Sequence, residues 1–297
     1  MLPISLAGRL AVLLLSPLLL ARCAAGPEPT DVPPPDRTSA SAAAPAAPPA
    51  PSPTAAPLVA DTLPDLPDGF VRLADVAPAV AQEMRYATPY NFVGAPIDGY
   101  VAPTCILARE AAEALARVAT DLAADGLGLK VYDCYRPQTA VNHFARWARG
   151  SDDAMKRAFY PDEPRGELFR RGYIAYRSGH SRGATVDLTL VRQPATARVV
   201  TQYPDPAAGP LPRCDQPLGG PDGRFPEGDL DMGTGWDCLS PRSATASTAV
   251  SAEARRNRQT LVRAMSRRGF RNYSKEWWHF TFRPEPFPST HFDFPVE

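Results

Sequence analysis

Ser178-Gly179-His180-Ser181-Arg182-Gly183-Ala184-Thr185-Val186-Asp187-Leu188-Thr189-Leu190-Val191 is a turn of small residues running into an alternating strand. Threonine and valine alternating with leucine from Thr185 to Val191 is the pattern of a strand with one face in the core. The turn before it carries a histidine. Seven residues after that histidine, Asp187 lies inside the strand between Val186 and Leu188. An ionised carboxylate there is costly unless it is paired or bound to a metal.

Working outward, the segment before this strand predicts two helices and one more strand. Ala108 to Ala124 places Leu115, Val118 and Leu122 at helical spacing, with Gly126 beyond the end. Leu129 to Tyr135 reads as a buried strand. Pro137 opens the next helix as its first residue, with Val141, Phe144 and Trp147 or Ala148 on the inner stripe and Gly150 as the stop. On the other side, Gln193 to Ser243 is rich in Pro, Gly and Asp and reads as a long loop region that could cap a site. A helix from Ala252 to Arg268 is closed by Gly269, and the aromatic-rich block Asn272 to Phe282 reads as the last strand. These elements make one α+β domain spanning residues 68–297.

The N-terminal quarter has a different character. Arg9 precedes an apolar run, Leu10 to Leu20, interrupted only by Ser16 and Pro17. The run is too short to span a bilayer and has the length of a secretory signal core, so residues 1–25 are read as a signal peptide. Leu20-Ala21-Arg22-Cys23 resembles a lipoprotein cleavage box, which gives a lipid anchor at Cys23 as the alternative to plain cleavage. Residues 26–67 are mostly Pro, Ala, Ser and Thr, a composition with too little apolar surface to offset its ordering entropy, and read as a disordered linker. Export to the periplasm or cell envelope follows either way. Lys+Arg and Asp+Glu balance at 32 each, and no basic run is present to track a phosphate backbone, so nucleic acid is excluded as a partner.

Beyond Cys23 there are four cysteines, Cys105, Cys134, Cys214 and Cys238. An even set in an exported chain points to two disulfides with three connectivities open. Cys105–Cys134 and Cys214–Cys238 are the favoured pairs, the second pinning the long loop. No pair has the short spacing of a cysteine zinc site.

Four histidines are present, and two have company suited to a zinc hydrolase. His180 is followed by Asp187, and His279 is preceded by Glu276 in Glu276-Trp277-Trp278-His279. Two imidazoles and a carboxylate can ligate, leaving a fourth position for water and a spare glutamate as base. In a continuous strand, Glu276 and His279, three residues apart, would point to opposite faces. The site therefore requires Glu276 to lie on a loop or bulge ahead of the strand. The blander alternative makes His279 a core histidine and Asp187 a satisfied strand aspartate. Asp133-Cys134-Tyr135-Arg136-Pro137 ends one strand and begins a helix, which fixes Arg136 on a rigid junction where it could face an oxyanion or form a surface salt bridge. His143 and His291 receive no catalytic role.

Tyr135-Arg136-Pro137 with Ala140-Val141-Asn142-His143-Phe144, then the Ser178 to Leu190 block, then Asn272 to Phe280 together resemble the D-alanyl-D-alanine dipeptidase family of zinc metallopeptidases. The resemblance implies a small, mostly antiparallel sheet flanked by helices, the fold such dipeptidases share with D,D-carboxypeptidases and the hedgehog signalling domain. It implies one Zn2+ held by His180, Asp187 and His279, with Glu276 as general base and Arg136 stabilising the tetrahedral intermediate. Asp237, in Met232-Gly233-Thr234-Gly235-Trp236-Asp237, matches a family position near the substrate, and Ser178 is the second substrate-binding residue the resemblance implies. The implied substrate is a small D-amino-acid dipeptide. The rival readings are a D,D- or L,D-carboxypeptidase acting on peptidoglycan stems, and a non-catalytic, zinc-stabilised binding module.

Overall fold

The computed structural model describes residues 65–297. The signal-like segment, Cys23 and all but the last residues of the Pro/Ala-rich stretch lie outside the described residues. Among the described residues, no helix is long and apolar enough to cross a membrane.

The strands are β1 (Phe70–Arg72), β2 (Ala81–Gln82), β3 (Ile106–Ala108), β4 (Leu127–Asp133), β5 (Thr185–Arg192), β6 (Phe270–Asn272) and β7 (His279–Phe282). The helices are α1 (Leu73–Val76), α2 (Arg109–Ala123), α3 (Gln138–Trp147), α4 (Lys156–Phe159) and α5 (Ala252–Arg267). A five-stranded sheet has the order β2-β4-β5-β7-β6, and β1 pairs with β3 in a separate two-stranded sheet. In the larger sheet β2–β4 is parallel and the other pairings are antiparallel. The domain is α+β with a mixed, mainly antiparallel sheet.

Most elements form where their periodicity predicts. α2 buries Leu115, Val118 and Leu122 on one stripe against β4. α5 starts at Ser251, whose hydroxyl accepts from Ala254 N at 3.0 Å, a cap typically worth about 1 kcal/mol. Pro137 stands one position earlier than expected, as the N-cap of α3 rather than its first residue. The aromatic block Asn272 to Phe282 is not one strand. β6 ends at Asn272, residues 273–278 turn, and β7 begins at His279. The Asn272 side-chain amide donates to the Glu276 and His279 carbonyls at 2.9 and 3.1 Å, closing the turn from within.

β5 is buried along almost its whole length, including its polar residues Thr185, Asp187 and Thr189. Part of the Gln193 to Ser243 region lies against this sheet: Leu230 N donates to Leu190 O at 2.9 Å, and Thr189 Oγ1 to Asp229 Oδ2 at 3.2 Å. The disulfides join Cys105 to Cys134 and Cys214 to Cys238, the pairing favoured above. Their sequence separations of 29 and 24 close loops worth about 3–4 kcal/mol each on the chain-entropy account. The C-terminal tail folds back, with Phe287, Phe292 and Phe294 around Phe70.

Candidate metal centre

Strand register lines up three acid or imidazole side chains. Asp133 of β4 is the partner of Asp187 of β5, and Asp187 is the partner of His279 of β7. Like charges directly opposite each other on neighbouring strands repel. The Asp133–Asp187 pair therefore needs positive charge close by. Arg136 supplies part of it: its Nε and Nη2 lie 2.9 and 2.8 Å from Asp133 Oδ2, and Nη2 lies 3.8 Å from Asp187 Oδ2. The guanidinium sits beside two adjoining rings, 5.0 Å from the Tyr86 centroid and 5.2 Å from that of Phe144.

His180 enters from the turn before β5. Gly183 ends that turn at φ 78°, and a Cβ there would stand 2.3 Å from the Phe70 ring, so only glycine lets the turn close. His180 Nδ1 is 2.7 Å from the Cys134 carbonyl, which fixes the proton on Nδ1 and leaves the Nε2 lone pair facing the other side chains. His180 Nε2 lies 3.3 Å from Asp187 Oδ1 and 3.3 Å from His279 Nδ1, and His279 Nδ1 lies 3.1 Å from Asp187 Oδ1. Among the described residues these are the three that could hold a metal ion.

The triangle fits zinc. A tetrahedral ion with bonds of about 2.0–2.1 Å needs donors about 3.3 Å apart, which is the spacing of these atoms. Asp187 Oδ1 is buried and accepts no well-formed hydrogen bond, as expected of an atom reserved for a cation. Burial opposes the charge on Asp187, but the positive charge of His180 and His279 when protonated in the metal-free site outweighs it and holds the carboxyl well below the usual range. Burial pulls His279 below the ordinary imidazole value, toward the neutral form that ligates.

Glu276 sits in the β6–β7 turn, where the sequence argument requires it to be. Its Oε2 is 3.6 Å from His279 Nδ1. Burial, Asp187 and Asp237 push its carboxyl well above the usual range. Asp237 faces the same space from the long loop. Its backbone has φ 56°, unusual for a residue with a side chain. Tyr86 Oη donates to Asp237 Oδ2 at 2.8 Å, and burial together with Asp187 pushes Asp237 up to about 7. Ser178 is buried, and its hydroxyl accepts from His180 N at 3.2 Å, bracing the turn as well as lining the cavity. His143 accepts from Asp98 N at 3.1 Å and His291 contacts Arg177; neither lies in the cavity.

Arg136, Ser178, Asp187, Asp237, Glu276 and His279 face a cavity of about 410 Å³. The expected cap contributes little of its wall, since the long loop lines it through Asp237 alone. The opposite wall is the segment from Phe169 to Tyr176, in which Phe169 and Tyr176 stack at 4.2 Å. That segment is tied to the β6–β7 turn by Tyr273 Oη, which donates to Gly172 O at 2.9 Å, and by Lys275 Nζ, which donates to Arg171 O at 2.6 Å. Sequence reasoning missed this wall, and no local pattern marks it. It also missed Tyr86 and the grip of Asp133 on Arg136. For Asp133 a signal was present: a second acid ending a buried strand.

A family model described as D-ala-D-ala dipeptidase, of the peptidase M15 class, matches residues 67–200 and 227–297. The chain is 35% identical to a D-alanyl-D-alanine dipeptidase of Enterococcus faecium over 77% of its own length and 98% of that protein. It is 37% identical to one of Streptomyces coelicolor over 76% of this chain and 98% of the relative. With one of Escherichia coli it shares 31% identity over 71% of this chain and 82% of the relative.

Proposed function

The chain belongs to the D-Ala-D-Ala dipeptidase family of metallopeptidases, and from that membership we propose that it hydrolyses D-alanyl-D-alanine to two D-alanines in the cell envelope. The observation that carries the reading at residue level is a charge imbalance. Asp133, Asp187, Asp237 and Glu276 are buried together with one buried guanidinium, Arg136. Four carboxylates less one cation leave an excess of three negative charges when all are ionised. A divalent ion offsets two of these, and the third is a local partner for the ammonium of a free dipeptide, whose own carboxylate needs a separate one.

In this reading His180, Asp187 and His279 hold zinc. Zinc, when bound, supplies the Lewis acidity that polarises the scissile carbonyl and makes water acidic enough to attack at neutral pH. Glu276 takes the proton of the attacking water and passes it to the leaving amine; its raised affinity for a proton suits both transfers. Arg136 is held in place by Asp133 and by two adjoining rings, so it faces the oxyanion of the tetrahedral intermediate already oriented. Asp237, with one oxygen held by Tyr86, offers the other to the substrate ammonium. Ser178 lines the same space. The two disulfides favour an oxidising compartment, which agrees with the signal-like N-terminal sequence and with an envelope location.

The test is a substrate comparison on zinc-loaded protein. Free D-Ala-D-Ala should exceed a stem pentapeptide ending in the same two residues by at least about 10²-fold in kcat/KM, because the pentapeptide leaves Asp237 without its ammonium partner. The reverse order would identify a carboxypeptidase. Zinc binding without cleavage of either substrate would identify a binding module.

A further inference from the structure

We propose that the two disulfides are positioning devices for separate halves of the site: Cys105–Cys134 for the metal triangle and Arg136, and Cys214–Cys238 for the carboxylate that receives the ammonium. The assignment of the halves rests on the function proposed above.

The first bond lies where the sheet stops holding the chain. The β4–β5 register shifts between Val131 and Asp133, and β4 ends at Asp133. The next residue, Cys134, carries the carbonyl that fixes the tautomer of His180. On either side of it are Asp133, which grips Arg136, and Tyr135, whose N–H donates to Ile106 O at 2.9 Å. The other half-cystine is firmly set. Cys105 N donates to Gln82 Oε1 at 2.8 Å, and Cys105 O accepts from Leu73 N at 2.8 Å. The bond thus ties the residues that orient His180 and Arg136 to the residue just ahead of β3, which is itself fastened to β2 through Gln82.

The second bond does the same for Asp237. Cys238 follows directly after this residue, whose φ of 56° is a conformation that a side-chain-bearing residue keeps only when its surroundings impose it. Its partner Cys214 donates from N to Arg157 O at 3.3 Å and accepts at its own carbonyl from Gly235 N at 2.8 Å. The turn from Gly235 to Cys238 is therefore fastened to Cys214 at both ends.

Both bonds are buried, and with sequence separations of 29 and 24 they restrict the unfolded chain by similar amounts. A purely structural role therefore predicts matching effects of removing either one. Positioning predicts a split. The experiment compares full-length Cys105→Ala/Cys134→Ala and Cys214→Ala/Cys238→Ala with the unaltered protein, measuring zinc affinity by chelator competition and kcat and KM for D-Ala-D-Ala. Loss of the first bond should weaken zinc binding about 10- to 100-fold, the usual cost of losing an orienting group behind a ligand. It should also lower kcat about tenfold and leave KM within about twofold. Loss of the second should raise KM about tenfold, leave zinc affinity within about twofold, and leave the rate on the N-acetylated dipeptide, which has no ammonium, unchanged. Equal falls in Tm with unchanged zinc affinity and KM would overturn the proposal, as would the same kinetic change in both variants. If an alanine pair fails to fold, a valine at one of its two positions refills the lost volume; failure of that variant too would also overturn the proposal, because the bond would then hold the domain and not the site. Should the unaltered protein bind zinc but leave the dipeptide intact, the proposed function fails, while the zinc comparison still decides the role of Cys105–Cys134.

Discussion

β4 carries two buried clusters of charge three residues apart, and they balance their charges in opposite ways. Around Lys130, every ion has a partner. Lys130 Nζ lies 2.7 Å from Glu83 Oε2 and also donates to the Glu227 carbonyl. Arg85 reaches Glu83 at 2.6 Å and Glu227 at 3.2 Å. Two cations face two carboxylates. Asp229 is a third acid in that space: it accepts from Thr189 Oγ1 at 3.2 Å, and burial and Glu227 push it up to about 7, as burial and Asp187 push Asp237 in the other cluster. Around Asp133, a single guanidinium stands among four carboxylates, and Asp187 Oδ1 is left without a hydrogen-bond donor. A matched cluster is finished by the chain itself. An unmatched one needs a cation from outside, which separates a structural cluster from a candidate site without reference to any motif.

Removing a metal donor should have the largest effect. His279→Ala is expected to lose its equivalent of zinc and with it all measurable hydrolysis; full zinc content by atomic absorption would erase the contrast between the clusters. Next is Glu276→Gln, which keeps the shape and removes the base. Turnover should fall by about 10²–10⁴-fold with zinc retained. If zinc is lost as well, Glu276 is a donor and not a base.

The matched cluster should respond in the other way. Lys130→Met leaves the buried Glu83 and Glu227 carboxylates to share Arg85, one carboxylate too many, a change that costs about 3–5 kcal/mol of stability. Denaturant titration should register that loss, while zinc content and KM stay as they were. A zinc defect in this variant would mean that the two clusters are one.

The smallest expected effect is a dependence of stability on pH. In zinc-free protein the folded state holds Asp237 and Glu276 above their unfolded pKa values, so between the unfolded carboxylate range and about pH 7 it binds more protons than the unfolded chain. Stability should therefore rise as pH falls from about 8 toward 5, and the rise should flatten once zinc supplies the missing charge. Melting curves with and without zinc test this; an identical slope in both would mean that the unmatched carboxylates do not sense the ion.

The sequence by itself determined the elements and the reagents. Thr185 to Val191, the strand read from Leu129 to Tyr135, which ends at Asp133, and the inner stripes of α2 and α3 follow from periodicity and end signals, which act over a few residues. His180, Asp187, Glu276, His279 and Arg136 were legible as chemistry out of place: charged or ligating groups in apolar or glycine-rich settings. Of the three disulfide connectivities that the cysteine count leaves open, the favoured one is the one the structure has. Only the tertiary structure decided the rest. His180 and His279 are 99 residues apart, and they meet because β7 pairs with β5 in one particular register. A shift of one residue would turn His279 to the other face of the sheet. Asn272 to Phe282 looked like one strand because its aromatics suit a strand, whereas the Asn272 amide bonds to the Glu276 and His279 carbonyls fold it into the turn that frees Glu276. The wall from Phe169 to Tyr176, and the placing of Tyr86 against Asp237, have no local signature. They depend on which surfaces remain to be covered once the sheet and helices have packed, and that is settled by long-range contacts rather than by any run of residues.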